Sequence, residues 1–191
     1  DAHNFFSGYA EMLKHGLISN TAHWAELLNF NTSDIDYTAL KQLVGRSVQV
    51  KEDIVEQDPF EHGIRKALNL GHTVGHAFES MALAENRPVL HGYAVAWGIV
   101  CELYLSHLKV GFPKEKMRQT IQFIKDNYGV FTFDCKKYEQ LYAFMTHDKK
   151  NTSGTINFTL LKDIGDIRIN QIADKDTIFE MLDFYRECMG I

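Results

Sequence analysis

His72 and His76 stand four residues apart in the segment EHGIRKALNLGHTVGH at 61–76, which also holds Arg65 and Asn69. On one continuous helix Arg65, Asn69, His72 and His76 fall at i, i+4, i+7 and i+11, a single stripe. That spacing normally carries an apolar seam. Here it carries four polar side chains, while Leu68, Leu70, Val74, Ala77, Phe78 and Met81 take the other faces. Such a stripe faces either solvent or a polar cavity. Gly71 and Gly75 favour the cavity: glycine inside a helix costs ~1 kcal/mol against alanine, and close approach of a second backbone would offset that.

Two histidines at i, i+4 can point at one metal ion, and they can equally be an ordinary helix pair. Thr73 stands where a metalloprotease HExxH pattern needs glutamate, so that chemistry is unsupported. His91, between Pro88 and Gly92, belongs in a loop or first helical turn, where a lone histidine is most often a surface or capping residue. A catalytic zinc takes three protein ligands and keeps an open position. A carboxylate and two imidazoles would suit it. Glu11 and Lys14 share one turn near the start of the chain, and their plain alternative is a surface i, i+3 ion pair. The same alternative applies to Lys51. Asp148, Lys149, Lys150 and Asn151 lie between a helix and a strand, where a solvated turn is the default.

The elements that must position these residues are mostly helices. Apolar positions at 3–4 spacing predict helices over 8–18, 21–31, a longer one capped at Ser33 or Asp34, then 63–84, 92–110, 114–127, 136–147 and 174–188. The third should stop before Asp58-Pro59, because the residue preceding proline avoids the helical region. The 92–110 helix is mainly apolar and so buried on most sides. Residues 155–161 and 166–170, with Gly165 in the turn, predict a small hairpin. Asp174 is a suitable cap for the last helix. The fold class is mainly α with one minor hairpin near the C-terminus.

The bulk composition agrees. The 191 residues are 45% apolar and 12% aromatic, enough for one substantial core. A formal charge of −5 without a basic stripe argues against a nucleic-acid platform. Cys101, Cys135 and Cys188 are odd in number and widely spaced, which fits reduced thiols in a cytoplasmic protein rather than a disulfide framework. No apolar stretch approaches the ~20 residues of a membrane span. The chain opens at Asp1 without methionine, which sets the expectation of a fragment.

Taken in order, GYAEMLKHG at 8–16, Lys51, DPFEHGIRKALNLGHTVGHAFE at 58–79, LHGYAVAWGI at 90–99 and DKKN with FTLLKDIG in 148–165 resemble the C-terminal domain of 3-dehydroquinate synthases. The resemblance implies a single helical metal and substrate domain over 1–191. It implies Glu11, His72 and His91 as ligands of Zn2+ (or Co2+), with His76 an active-site residue rather than a ligand. Lys14 and Lys51 would act beside His76. Arg65, Asn69 and one of Lys149 and Lys150 would hold the substrate, and Glu61 belongs to the motif with a less defined role.

The implied activity is that of an NAD- and metal-dependent lyase of the shikimate route to aromatic amino acids. It converts 3-deoxy-D-arabino-heptulosonate 7-phosphate to 3-dehydroquinate and phosphate, in a cytoplasmic homodimer. The chemistry is oxidation of a hydroxyl by NAD+, elimination of phosphate, return of the hydride, ring opening and aldol closure. No GxGxxG-like loop follows a strand here, so the resemblance places the NAD-binding domain upstream of Asp1 and leaves this chain alone inactive. Rival readings are a cyclitol-forming sugar-phosphate cyclase, a metal-dependent polyol dehydrogenase, and a helical interaction module with incidental histidines. Arg65 with Asn69 favours the dehydroquinate branch.

Overall fold

The longest apolar run of the chain becomes its central helix. In the computed structural model, which describes residues 1–148 and 155–191, Ala94, Val95, Ala96, Ile99, Val100, Leu103 and Leu105 are all fully buried. They lie on α5 (His91–Val110), and α1 (Ala2–Ser19), α4 (His72–Ala84), α6 (Lys114–Tyr128) and α8 (Lys175–Met189) pack around it. The remaining helices are α2 (Thr21–Asn29), α3 (Tyr37–Gln57) and α7 (Tyr138–Thr146), with short 3-10 helices at Ile64–Asn69 and Cys135–Lys137. The expected hairpin is present: β1 (Asn157–Asp163) pairs antiparallel with β2 (Asp166–Ile172), turning at Gly165 with φ +79°, and β1 lies on α5. Mainly α with one hairpin is therefore the architecture of the described residues.

Several boundaries differ from the periodicity: α1 begins at Ala2, where the Asp1 side chain accepts from His3 N, rather than at 8, and the hairpin strands run two residues further, to Asp163 and Ile172. The cap of α3 is Asp36, whose carboxylate accepts from the backbone N–H of Thr38 and Ala39. Ser33 and Asp34 are held instead in a turn in which both their N–H groups donate to Asn31 Oδ1. Asp174 caps α8 as expected, accepting from Thr177 N.

The larger correction concerns 63–84, expected as one helix. It is a 3-10 helix over Ile64–Asn69, a break at Leu70 and Gly71, and then α4. Arg65 and Asn69 therefore do not share one helical stripe with His72 and His76. The cause is the packing of α4 on α5. Gly71 sits at φ +81°, and a Cβ there would lie 2.7 Å from Ile99 Cγ1 and 3.0 Å from the Val95 carbonyl oxygen. A Cβ on Gly98 would come 2.1 Å from the Gly71 carbonyl oxygen, and one on Gly75 2.9 Å from that of Ala94. Close backbone approach, expected for the two glycines, holds at both. Gly71 meets it as a left-handed turn rather than from within a helix.

This contact predicts opposite outcomes for two glycine substitutions. Gly98→Ala must push α4 and α5 apart and is expected to lower stability by about 3 kcal/mol, the upper part of the overpacking range. Gly45, inside α3 with nothing near its missing Cβ, is expected to gain up to ~1 kcal/mol on substitution by alanine. Urea unfolding of both variants is the check, and Gly98→Ala as stable as wild type would contradict the packing.

Candidate metal centre

Glu11 and Lys14 face inward from one turn of α1, whose buried side is built from Tyr9, Ala10, Leu13 and Leu17. Lys14 is only 5% exposed. Its Nζ lies 2.6 Å from Glu11 Oε2 and 3.3 Å from His72 Nε2. This is no surface ion pair.

The other oxygen, Glu11 Oε1, is buried and has no hydrogen-bond donor among the described residues. A buried acceptor left without a partner is unfavourable by about 1–3 kcal/mol, more if charged. Two imidazole nitrogens face it, His72 Nε2 at 3.7 Å and His91 Nε2 at 3.6 Å. Ligands 2.0–2.1 Å from one tetrahedral ion are about 3.4 Å apart, so this oxygen and these nitrogens fit around a single cation.

His91 opens α5, at the expected loop-to-helix junction. Its Nδ1 lies 3.1 Å from Glu79 Oε1. A carboxylate accepts only, so Nδ1 carries the proton and Nε2 is left as the electron-pair donor toward Glu11, the arrangement that orients histidine ligands of metals. His76, one turn along α4 from His72, has Nδ1 3.1 Å from Asp148 Oδ2, which likewise turns its Nε2 away from that carboxylate. The rings of His72, His76 and His91 are mutual neighbours, with centroids 5.2 to 5.8 Å apart. One ring nitrogen from each lies within 4.8 Å of the others. The site therefore offers two overlapping triads: Glu11, His72 and His91, or the three imidazoles.

The residues expected to hold the substrate sit to one side. Asp58 gathers the backbone N–H groups of His62, Gly63 and Arg65. These bonds, that from Gly63 first, hold its carboxyl below the usual range. They shape the loop that leads into the 3-10 helix. Arg65 Nη1 donates to the Pro59 carbonyl, and Asn69 Nδ2 lies 3.4 Å from Glu61 Oε1. Glu61, Lys66, Asn69 and Thr73 line a cavity of mixed character with Asn157, Phe158 and Asn170 beside the first turn of α4. Lys51 is exposed on α3, without a hydrogen bond or ion pair to the histidine cluster among the described residues. Its charge reaches His15, behind Lys14. Lys149 and Lys150 lie outside the described residues.

Two partners, Glu79 and Glu102, were not singled out from sequence, and Asp148 was read there only as part of a solvated turn. Glu79 pairs with His91 across the α4–α5 contact, and helical spacing does not announce that bond. Glu102, which accepts from Gly71 N and Val74 N, was readable as the lone charge in the apolar run 94–105. Asp148 reaches His76 across 72 positions, and no local pattern announces that pairing.

The geometry can be set beside known proteins. The family described as 3-dehydroquinate synthase C-terminal matches residues 8–151. A 3-dehydroquinate synthase of Parabacteroides distasonis is 59% identical over all 191 residues, 54% of that protein. One from Leptospira interrogans is 41% identical over 170 residues, 85% of this chain and 46% of that one. The chain spans about half the length of these curated relatives. Among solved structures, a 2-epi-5-epi-valiolone synthase from Streptomyces hygroscopicus with NAD+ and Zn2+ bound has a TM-score of 0.81 at 19% identity, covering 98% of this chain and 52% of that one. A 2-deoxy-scyllo-inosose synthase complexed with carbaglucose-6-phosphate, NAD+ and Co2+ has 0.75 at 20%, covering 97% and 51%. At such identities the likeness is one of fold.

Behind the site, His15 Nδ1 bonds Ser47 Oγ. Burial, then the Lys14 charge, push its pKa down to about 4. An unfolded imidazole titrates near 6.5. Between those values the unfolded chain binds the extra proton, so stability falls as pH drops from 6.5 toward 4 and His15 adds no slope outside that window. The full contribution is on the order of 3 kcal/mol. His15→Asn is expected to flatten the stability–pH curve in that window by one proton, measured by urea unfolding at stepped pH. An unchanged slope would refute the assignment.

Proposed function

The chain belongs to the family of 3-dehydroquinate synthase C-terminal domains, and on that premise we propose that it is the metal- and substrate-holding part of a 3-dehydroquinate synthase. The observation that carries the proposal is the buried Glu11 Oε1, without a hydrogen-bond donor among the described residues, between the Nε2 atoms of His72 and His91. The identity of 59% to a relative of that name supports the dehydroquinate branch over the cyclitol synthases, which share the fold at 19–20%.

In this reading Glu11, His72 and His91 hold Zn2+ or Co2+, and His76 stands beside them unbound. Bound there, the ion supplies Lewis acidity, lowering the pKa of the substrate hydroxyl that is to be oxidised. The chain's own residues do the rest of the positioning. Lys14, pinned between Glu11 and His72, directs donors at substrate oxygens. His76, oriented by Asp148, offers Nε2 to take a proton from the reacting hydroxyl and return it. Arg65 spends one Nη1 donor on Pro59 and keeps the paired geometry that suits a carboxylate or phosphate. Asn69, Lys51 and one of Lys149 and Lys150 complete the grip on a phosphorylated seven-carbon keto acid. A homodimeric, cytoplasmic enzyme belongs to the same proposal. Among the described residues no helix is long and apolar enough to cross a membrane.

We assign NAD+ to a part of the enzyme outside these 191 residues. Dinucleotide binding needs a glycine-rich cradle of backbone N–H groups between a strand and a helix. The only strands among the described residues form the β1–β2 hairpin, and α8 follows it without such a loop.

Calorimetry with NAD+, a turnover assay and zinc analysis of the 191-residue chain test this division. One zinc per chain is expected, lost in His72→Ala, with no NAD+ binding and no turnover. Joining the chain to a dinucleotide-binding half from a relative should restore both signals. Tight NAD+ binding or turnover by the chain alone would overturn the division, and equal substoichiometric zinc in wild type and His72→Ala would sink the metal site.

A further inference from the structure

Helix α4 begins without a capping side chain. Its N-cap is Gly71, which has none to offer. The first backbone N–H groups of a helix have no partner within the helix and need acceptors from elsewhere. Serine, threonine, asparagine or aspartate at the N-cap would ordinarily serve. None fits at position 71, where the backbone is left-handed and Ile99 Cγ1 and the Val95 carbonyl crowd the place of a Cβ. The cap must come from another element.

Glu102 provides it from α5. The residue is fully buried. Oε1 accepts from Gly71 N at 2.9 Å and Oε2 from Val74 N at 3.1 Å. Glutamate is almost never fully buried unless paired, and here the positive end of a helix and two charge-assisted bonds compensate it. One carboxylate thus straddles the turn that carries His72, holding the residue before it and the residue two after it.

The same carboxylate ties that turn to the helix that begins with His91. Gly71 lies against Ile99, Gly75 against Ala94, and Glu79 against His91, so α4 and α5 run antiparallel. Glu102 fixes one end of the pair and the Glu79–His91 bond the other. We infer that Glu102 is a positioning residue of the metal centre, setting the rotation of the first turn of α4 and with it the direction in which His72 presents Nε2 to Glu11 and His91. The inference rests on the metal reading proposed above. A merely structural Glu102 would affect stability without altering the geometry around a bound ion.

Cobalt separates the two, because the position and intensity of its visible bands report coordination geometry. The 191-residue chain is titrated with Co2+ as wild type, Glu102→Gln, Glu102→Asp and the core control Leu182→Ala, with urea unfolding recorded beside each. Leu182 is fully buried on α8, a helix that carries none of the proposed ligands. In Glu102→Gln the amide keeps one acceptor and turns an NH2 toward the other N–H. Its cobalt bands are expected to shift, with affinity about tenfold weaker, in the range seen for residues that orient ligands. Glu102→Asp, with a carboxylate on a shorter arm, should shift the bands with a smaller loss. Leu182→Ala should lose stability and keep wild-type bands and affinity. Wild-type bands and affinity in both Glu102 variants would overturn the inference, as would an equal change in Leu182→Ala. A wild type that gives no cobalt bands would defeat the metal reading itself, a failure distinct from the other two.

Discussion

The structure depends on how closely α4 and α5 approach. At Gly75 and Gly98 the two backbones meet without intervening side chains, and Gly71 is pressed against Ile99 Cγ1 and the Val95 carbonyl. A fixed axis-to-axis separation follows from contact of that kind, because no rotamer can absorb a change. The remaining features at this end of the molecule are responses to it. Gly71 turns left-handed, the 3-10 helix ends before it, and the first turn of α4 takes its cap from Glu102. His72 and His76 on one helix and His91 on the other are then held at distances that side-chain flexibility cannot loosen.

Against that rigid pair α1 brings one carboxylate with two different tasks. Glu11 Oε2 is neutralised by Lys14, while Oε1 is left facing two imidazoles. Burial of Lys14 is tolerable because its charge sits against Glu11, and an unpaired buried ammonium would be strongly unfavourable. The buried acceptor Oε1 faces two nitrogens, one of them oriented by the bond of its ring to Glu79. A cation at their centre satisfies all three. His76 is near enough to compete, and its bond to Asp148 orients it.

Much of this was legible in the sequence, for identifiable reasons. The central helix followed from an unbroken apolar run, and the α8 cap from Asp174 ahead of a periodic segment. His72 and His76 stood out by their helical spacing, whereas Glu11, Lys14 and His91, which read from spacing alone as a surface ion pair and a capping histidine, received their site roles from the resemblance to the 3-dehydroquinate synthases. What was not legible depended on distant neighbours. Continuous periodicity over 63–84 hid the break at Gly71, whose cause is Val95 and Ile99 on the next helix. Asn31 captured the N–H groups of Ser33 and Asp34 and so moved the α3 cap to Asp36. The partner of His76 lies across the fold, beyond any local pattern.

The choice between the two triads decides the account. Zinc-edge anomalous diffraction from zinc-loaded crystals of the chain measures it directly. One peak is predicted, about 2.1 Å from Glu11 Oε1, His72 Nε2 and His91 Nε2, with His76 Nε2 outside bonding distance. A peak bonded to all three imidazoles, with Glu11 Oε1 unbound, would contradict it.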